Sequence, residues 1–356
     1  MHELLPRLGA WMDEGAPFAL ATVTRVDGSA PRLPGACMAV RPEENRFLGS
    51  VSSGCLDAEI VHAARETLVD GEPRLLRFGP DASTPWVAGL TCGGWVDVTV
   101  EPWWGLHLRP EVRAIAREVR AWFEHDLPGV VLSAGRAHLA VSADGGRVGD
   151  RDAFSADLIS DALGTVQREL PSFSRGSDSD RVFIRSIRRR PRLLLVGAVD
   201  IAARLVGLAR ETGFRTTVID PRSAYMAPDR FREEPNERIC KWPQEPIAGS
   251  DLGPRDAAVV LTHDPKIDDP ALLALLRTRV GYVGALGSRK SHAERLERLE
   301  ATGETTTSLA RISGPAGLHL GTPDAAGIAV GILAGILQWQ AAAERERRRI
   351  ETVATK

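Results

Sequence analysis

Two short stretches of the chain place a cysteine among glycines and small polar residues. They are Gly49-Ser-Val-Ser-Ser-Gly-Cys55-Leu-Asp-Ala-Glu59 and Thr91-Cys92-Gly-Gly94. A helical pattern starts at Asp57, so the thiol of Cys55 is expected at a helix N-terminus, where unpaired amides and the helix dipole stabilise a thiolate. We interpret both thiols as parts of one chemical centre. The alternative is that they are small buried hydrophobic residues, as most free cysteines are.

A loop rich in glycine and proline precedes the first cysteine stretch. It reads Asp27-Gly-Ser-Ala-Pro-Arg-Leu-Pro-Gly35 and lies between two strand-like segments. Proline fixes φ and glycine permits close approach, so the loop amides and Arg32 would be able to hold an anion. A plain connection between two strands is the alternative interpretation.

The clearest fold signal lies in the second half of the chain. An apolar strand at 192–196 runs into Gly197, an alanine-rich helix follows, and Asp220 ends the next strand. This is the plan of a nucleotide-binding Rossmann half. Val199, however, takes the place of the second glycine of the fingerprint and Ala202 that of the third, which argues against a dinucleotide in the usual pose.

Two later strands of this domain end in polar residues. His263 and Asp264 follow one strand, and Ser288, Arg289 and Lys290 follow the next. Ligands of open parallel sheets sit beyond the carboxyl ends of the strands, and Gly-Ser-Arg-Lys at a helix start suits a phosphate. The alternatives are a hydrogen-bonded core histidine for His263 and a solvated helix start for the two cations.

Hydrophobic periodicity supplies the elements that position these residues. It predicts an α/β protein with an N-terminal α/β domain and a C-terminal Rossmann-like, doubly wound parallel sheet. The expected domains are 1–180, made of a core module 1–105 and an α/β extension 106–180, and 190–343. We expect 171–180 to be an exposed connection, and the basic run 185–192 to be a solvated strand edge or linker.

Composition narrows the classes of protein that remain. The chain has 43% hydrophobic residues, 26% charged residues and a formal charge of −2 over 356 residues. It therefore lacks the net positive charge that is typical of nucleic-acid-binding proteins. No apolar run is long enough to cross a bilayer and the first residues lack signal-peptide regions, so we expect a cytoplasmic protein away from membranes. Four scattered cysteines predict reduced thiols rather than disulfides or a zinc knuckle.

Taken in order, the motifs resemble the XdhC/CoxI family of accessory proteins, the maturation factors of molybdenum hydroxylases such as xanthine dehydrogenase. The resemblance spans nearly the whole chain. It rests on Gly28-Ser-Ala-Pro-Arg32, Gly49-Ser-Val-Ser-Ser-Gly-Cys55-Leu, Thr91-Cys-Gly-Gly94, Asp220-Pro-Arg222, Thr262-His-Asp264, Gly284-Ala-Leu-Gly-Ser-Arg289 and Gly314-Pro-Ala-Gly-Leu318.

The resemblance implies a protein that binds the molybdenum cofactor, shields it while its metal centre is sulfurated, and hands it to an apo-hydroxylase of the xanthine dehydrogenase type, as a dimer. It favours a non-enzymatic chaperone, with a cysteine desulfurase as a candidate second partner. The family usually has Gly-Ala-Gly-His where this chain has Gly197-Ala-Val-Asp200, and glycine where it has Ser53. The first difference weakens nucleotide binding, and the second narrows the room beside Cys55.

Joined to the residue chemistry, the resemblance predicts one site. Arg32 and the glycine loops would hold the pterin phosphate, Cys55 and Cys92 would lie near the molybdenum, and the second domain would close on them with His263 and Arg289. The expected cofactor-binding residues are Ser29, Arg32, Ser52, Gly54, Cys55, Cys92, Gly93, Gly94, Gly197, Asp220, His263, Asp264, Ser288 and Arg289.

Two other classes of function stay open at this point. One is an NAD(P)-binding oxidoreductase that uses the Rossmann domain and Asp220. The other is a metal-binding redox regulator with Cys55, Cys92 and His263 as ligands.

Overall fold

A computed structural model describes residues 4–44, 46–79, 93–105, 108–177 and 180–354. The chain divides into two compact units. One comprises Met1–Arg189 with Arg347–Lys356, and the other comprises Arg190–Glu346.

The first unit begins with an antiparallel five-stranded sheet. Its elements are α1 (Leu5–Asp13), β1 (Phe18–Asp27), β2 (Cys37–Arg41), β3 (Arg46–Gly49), α2 (Asp57–Asp70), β4 (Arg74–Phe78) and β5 (Trp95–Trp104). The strand order is β3-β2-β1-β5-β4. Successive side chains of a strand point to opposite faces, so Ala21 and Val23 pack on α2 while Phe18 and Leu20 face the other way, towards α1.

A second five-stranded sheet completes the first unit. Its elements are α3 (Pro110–Glu124), β6 (Gly129–Ala134), β7 (Ala137–Ser142), β8 (Arg147–Gly149), α4 (Ala156–Gln167), β9 (Phe173–Arg175) and β10 (Val182–Ile187), in the strand order β8-β7-β6-β10-β9. Val131, Ala140 and Ile187 of this sheet join Phe18 and Leu20 in one core, so the two sheets pack against each other.

Two expectations for this region are wrong. Part of the predicted exposed connection 171–180 is strand β9, which pairs with β10. Arg185, predicted to lie on a solvated edge or linker, is buried in β10 because it donates hydrogen bonds to Cys37 and Thr22 of the first sheet. Five arginines within eight residues suggested a solvated segment, but the alternation of a strand sends every second side chain inward.

The second unit has the predicted doubly wound architecture. Its elements are β11 (Arg192–Val196), α5 (Asp200–Glu211), β12 (Arg215–Ile219), β13 (Glu237–Ile239), α6 (Gln244–Ala248), β14 (Ala257–Val260), α7 (Pro265–Leu276), β15 (Tyr282–Ala285), α8 (Arg289–Glu300), α9 (Thr306–Leu309), β16 (Ile312–Ser313) and α10 (Ala325–Ala354). All six strands are parallel, in the order β13-β12-β11-β14-β15-β16. This is the Rossmann strand order, with α5 and α10 on one face and α6 to α8 on the other.

Helix α10 packs unusually closely on the loop before it. The Leu318 amide donates to the Gly331 carbonyl at 2.8 Å, and a Cβ on Gly317 would overlap the backbone of Ile332. By length and composition, the segment Ala325–Arg349 could cross a membrane. The expectation that no apolar run is long enough to cross a bilayer is therefore wrong on length and composition. Ala329, Ile332 and Ile336 of this segment are buried in the core of the second unit, whereas only 33% of its apolar stretch is buried.

Candidate functional site

The topology of the first sheet brings three of the predicted loops to one edge. β1 ends at Asp27, opposite Trp95, the first residue of β5. β3 ends at Gly49, opposite Met38 near the start of β2. Because these neighbours are antiparallel, the loop after β1, the loop after β3 and the residues before β5 lie at the same edge.

Direct contacts tie these loops together. Arg32 Nε donates to the Ser50 carbonyl at 3.2 Å and so joins the proline loop to the cysteine loop. A Cβ on Gly94 would overlap the Ser29 carbonyl oxygen, so a glycine is needed there for close approach. The structure thus groups the predicted residues of the first domain, namely Ser29, Arg32, Ser52, Gly54, Cys55, Gly93 and Gly94. Cys92 lies outside the described residues.

Cys55 is exposed, so the interpretation of this residue as a buried hydrophobe is wrong. Its Sγ lies 3.5 Å from the Ser52 carbonyl, and the Ser52 hydroxyl accepts from the Leu56 amide one residue before α2. Ser53 has a φ of 63°, a left-handed conformation that is unfavourable for a residue with a Cβ. The loop therefore holds the thiol in solvent at the start of α2.

Asp57 supplies a second unusual group beside this thiol. Its Oδ1 is buried and has no hydrogen-bond partner among the described residues. Burial raises the pKa of Asp57, the Ser52 hydroxyl opposes that shift, and the charge of Glu59 adds to it. Buried oxygens without partners are rare in folded proteins, so this one suits a ligand that offers an N–H or O–H donor.

In the second unit, Gly197 and Asp220 meet at the carboxyl ends of β11 and β12. The Asp220 carboxylate is fully buried and accepts hydrogen bonds from the Ala198 amide at 2.8 Å and from Arg222 Nε and Nη2 at 2.9 and 2.7 Å. The Arg222 amide also donates to it, at 2.9 Å, so all of its roughly four acceptor positions are taken and none is left for a ribose hydroxyl. Asp200, the first residue of α5, adds a negative charge where a pyrophosphate would sit. A dinucleotide in the usual pose does not fit this turn.

The state of Asp220 predicts a pH effect on stability. Burial alone would raise the pKa of Asp220, but the hydrogen bonds from Arg222 and the Ala198 amide lower it overall. Because the folded pKa is lowered, the stabilisation is present above the ordinary aspartate pKa of about 3.9 and is lost as pH falls through the folded value. Asp220→Asn should therefore flatten the acid limb of the stability profile. Urea unfolding between pH 2 and pH 7 measures this, and an unchanged limb would contradict it.

The remaining predicted residues of the second unit lie at the ends of β14 and β15. His263 is exposed, with a φ of 61°, so the core-histidine interpretation is wrong. Asp264 caps α7 and Ser288 caps α8 in a capping box with Ser291. Arg289 is exposed in the first turn of α8, as is Lys290, which matches the solvated helix start.

Sequence reasoning missed a buried ion pair behind these loops. Asp268 on α7 accepts from the Thr262 hydroxyl at 2.6 Å and from the His263 amide at 3.1 Å. Arg295 on α8 lies 3.8 Å from Asp268 and donates to the Leu286 carbonyl at 2.9 Å. The missed signal was spacing, since Asp268 lies three, four and seven residues before apolar positions of α7 and thus on its buried face.

This ion pair is incompletely satisfied. Nε and Nη1 of Arg295 are buried and have no hydrogen-bond partner within the described part of the chain, and the same holds for Nδ1 of His292 one turn earlier. Burial raises the pKa of Asp268 and lowers that of Arg295, so desolvation disfavours the charged form of both residues. Across the described ranges, no group of three or more His, Cys, Asp or Glu residues could hold a metal ion.

Comparisons with known proteins identify the family to which the chain is related. Residues 193–336 match the model of the XdhC Rossmann domain, and residues 11–79 match that of the XdhC and CoxI family. Among curated relatives, a Bacillus subtilis protein named as a probable xanthine dehydrogenase subunit is 29% identical over 337 residues, 93% of this chain and 96% of the relative. The molybdenum cofactor insertion chaperone PaoD of Escherichia coli is 26% identical over 323 residues, 90% of this chain and 83% of the relative.

A solved structure shows the same fold over nearly the whole length. It is described as a xanthine dehydrogenase from Bacillus halodurans and superposes with a TM-score of 0.74 at 22% identity, covering 95% of this chain and 96% of that one. The two family models together span more than half of the chain. The order of motifs, the Rossmann strand order and these matches agree: the chain belongs to the XdhC and CoxI family.

Proposed function

We propose that this protein is an accessory protein that binds the molybdenum cofactor, assists its sulfuration and inserts it into a molybdenum hydroxylase such as xanthine dehydrogenase. Full-length similarity to a molybdenum cofactor insertion chaperone supports the accessory role. The proposed partner is the apo-hydroxylase, with a cysteine desulfurase as a candidate second partner. We further propose that the protein works as a homodimer in the cytoplasm.

One structural observation supports the proposal. The exposed thiol of Cys55 and the guanidinium of Arg32 belong to loops gathered at one edge of the first sheet, and Asp57, whose buried Oδ1 has no hydrogen-bond partner among the described residues, begins the helix after the cysteine loop. The cofactor offers a matching set of groups, since it carries a phosphate, polar ring atoms and a sulfur-ligated metal. Soft thiolates suit such a metal, and Arg with loop amides suits the phosphate.

The residues can be given separate tasks. Arg32 and the amides around Gly54 and Gly94 would hold the phosphate, and Asp57 would accept a hydrogen bond from the ligand. Cys55 would lie near the molybdenum or carry sulfur, and Cys92 stays a prediction of the same kind. The roles of His263 and Arg289 also stay predictions, tested by cofactor loading of the His263→Ala and Arg289→Ala proteins.

The direct test is molybdenum analysis combined with pterin fluorescence after oxidation. The full chain should be purified without oxygen from a host that makes the cofactor. We expect molybdenum and pterin in equal amounts, and activation of an apo-hydroxylase by the loaded protein. Neither molybdenum nor pterin in the protein from such a host would contradict the proposal.

The same preparation separates the two other functions. Stoichiometric zinc without pterin would favour the redox regulator. Saturable NAD binding would favour the oxidoreductase, against which the occupied carboxylate of Asp220 and the negative charge of Asp200 argue.

A further inference from the structure

A second candidate site lies in the first unit, away from the three loops. It is a cavity of about 290 Å³ between the two sheets, and the exposed side chain of Leu75 on β4 is part of its lining. Its polar lining includes Thr22, Thr24, Thr99, Glu101, Ser133 and Arg185, together with the surface cations Arg74 and Arg181.

The polarity of this cavity is not needed for packing. Along β1 the inward side chains change from Phe18 and Leu20, which fill the core, to Thr22 and Thr24, which line the cavity. Both hydroxyls have partners, since Thr24 Oγ1 donates to the Asp97 carbonyl at 3.2 Å and Thr22 Oγ1 accepts from Arg185, so burying them carries no penalty for a lost hydrogen bond. The wall of the cavity is therefore polar and able to bind a polar ligand.

Arg185 provides a buried cation in the wall. Its side chain is only 5% exposed, Nη1 lies 2.8 Å from Cys37 Sγ, and Nη2 donates to Thr22 Oγ1 at 2.7 Å. Within the described residues it forms no ion pair with a carboxylate. A guanidinium has five N–H donors, so most of its donors remain for a ligand.

Glu101 provides the opposite charge and is 6% exposed. Its ion-pair partner is Nε2 of His138 at 3.4 Å, and no described residue donates a hydrogen bond to its carboxylate at good geometry. The other ring nitrogen of His138 lies 3.0 Å from the Ser133 hydroxyl, which fixes the ring. A buried carboxylate with free acceptor positions is unfavourable unless donors reach it.

We propose that this cavity binds a small planar heterocycle that presents an amino group beside a ring N–H and a ring carbonyl, as guanine and pterin do. Glu101 would accept the two neighbouring N–H groups, Arg185 would donate to the carbonyl, and the threonine and serine hydroxyls would bind the remaining ring atoms. The volume lies just below the usual range of ligand pockets, about 300 to 1,000 Å³, and so suits a single heterocycle. The site does not depend on the proposed function of the three loops.

The test is isothermal titration of the full-length protein with pterin, guanine and adenine. Adenine has a ring acceptor beside its amino group and lacks the carbonyl. We expect one site per chain and at least tenfold tighter binding of pterin or guanine than of adenine. The tighter binder of the two shows whether the site takes a pterin or a guanine compound. No saturable binding, or equal binding of adenine, would overturn the proposal.

Two variants test the residues. Glu101→Gln keeps the shape but replaces one acceptor by a donor, and should weaken binding at least tenfold, while Glu300→Gln makes the same change at an exposed carboxylate of the second unit and should have no effect. If Glu101→Gln does not fold, Thr99→Val removes one hydroxyl of the wall and should weaken binding severalfold. Unchanged affinity in the folded variants contradicts the site. Cys55→Ala should bind the heterocycle normally, which separates this site from the loops.

Discussion

Replacing Cys55 by alanine is expected to lower the molybdenum that copurifies with the protein by about tenfold or more. Loss of a group that merely supports a metal ligand already costs about 10- to 100-fold in metal affinity, so loss of the metal contact that we propose for Cys55 should cost at least as much. The thiol is exposed and lies at the start of α2, so its removal leaves the cores of the first unit intact. The expected loss is therefore one of binding rather than of folding.

The chain contains a matched control for this experiment. Cys240 is also free and exposed, but it lies in the second unit, where its Sγ is 3.9 Å from the Pro221 carbonyl. Cys240→Ala should keep the molybdenum content and the activation of the hydroxylase. Equal molybdenum in the two variants, measured on protein purified without oxygen, would rule out Cys55 as part of the binding site. Cys92→Ala, measured in the same way, tests the second cysteine.

Asp57 allows the same site to be tested through its other unusual atom. Cys55 and Asp57 have different proposed tasks, since the thiol would lie near the metal whereas the buried carboxylate oxygen would accept a hydrogen bond from a donor on the ligand. Their effects on loading should be less than additive if both contact one ligand, because neighbouring groups in one site are coupled. Independent effects would place the two residues in different sites.

The sequence predicted the architecture of both halves because each half depends on local patterns. The apolar strands of the second unit and the turn at Gly197 specify a Rossmann sheet even though Val199 disturbs the phosphate loop. The residues of the loops at one edge of the first sheet were also predicted, because the motifs identify them in order along the chain. Their meeting follows from strand pairing, which joins Asp27 to Trp95 across a long stretch of chain.

What sequence reasoning missed depends on long-range partners. Arg185 looked like one member of a basic, solvated run, and its burial depends on Cys37 and Thr22, which are more than 140 positions away. Asp220 looked like a residue that binds a ribose hydroxyl, but its carboxylate instead accepts a hydrogen bond from Arg222, two residues later. Neither hydrogen-bonded pair changes the hydrophobic periodicity of the sequence. Pattern analysis therefore predicts the environment of such residues from their residue type alone.

Removing the carboxylate of Asp268 is expected to destabilise the second unit by about 3–5 kcal/mol, the effect of breaking a buried ion pair. Asp268→Ala removes the acceptor of the Thr262 hydroxyl and of the His263 amide and leaves the buried guanidinium of Arg295 without its counter-charge. The strained backbone at His263 would also lose its support. Hydrogen exchange of the β14 and β15 amides measures the effect in this unit alone.

The neighbouring residue Asp269 is the matched control. It pairs with Arg298 at 2.8 Å near the surface, where such pairs contribute about 1 kcal/mol or less, so Asp269→Ala should have a small effect. Combining Asp268→Ala with Arg295→Met should recover much of the loss, because no charge is then left buried. If Asp268→Ala is as mild as Asp269→Ala, the pair is not what holds the His263 loop, and that loop must be positioned by the capping of α7 at Asp264.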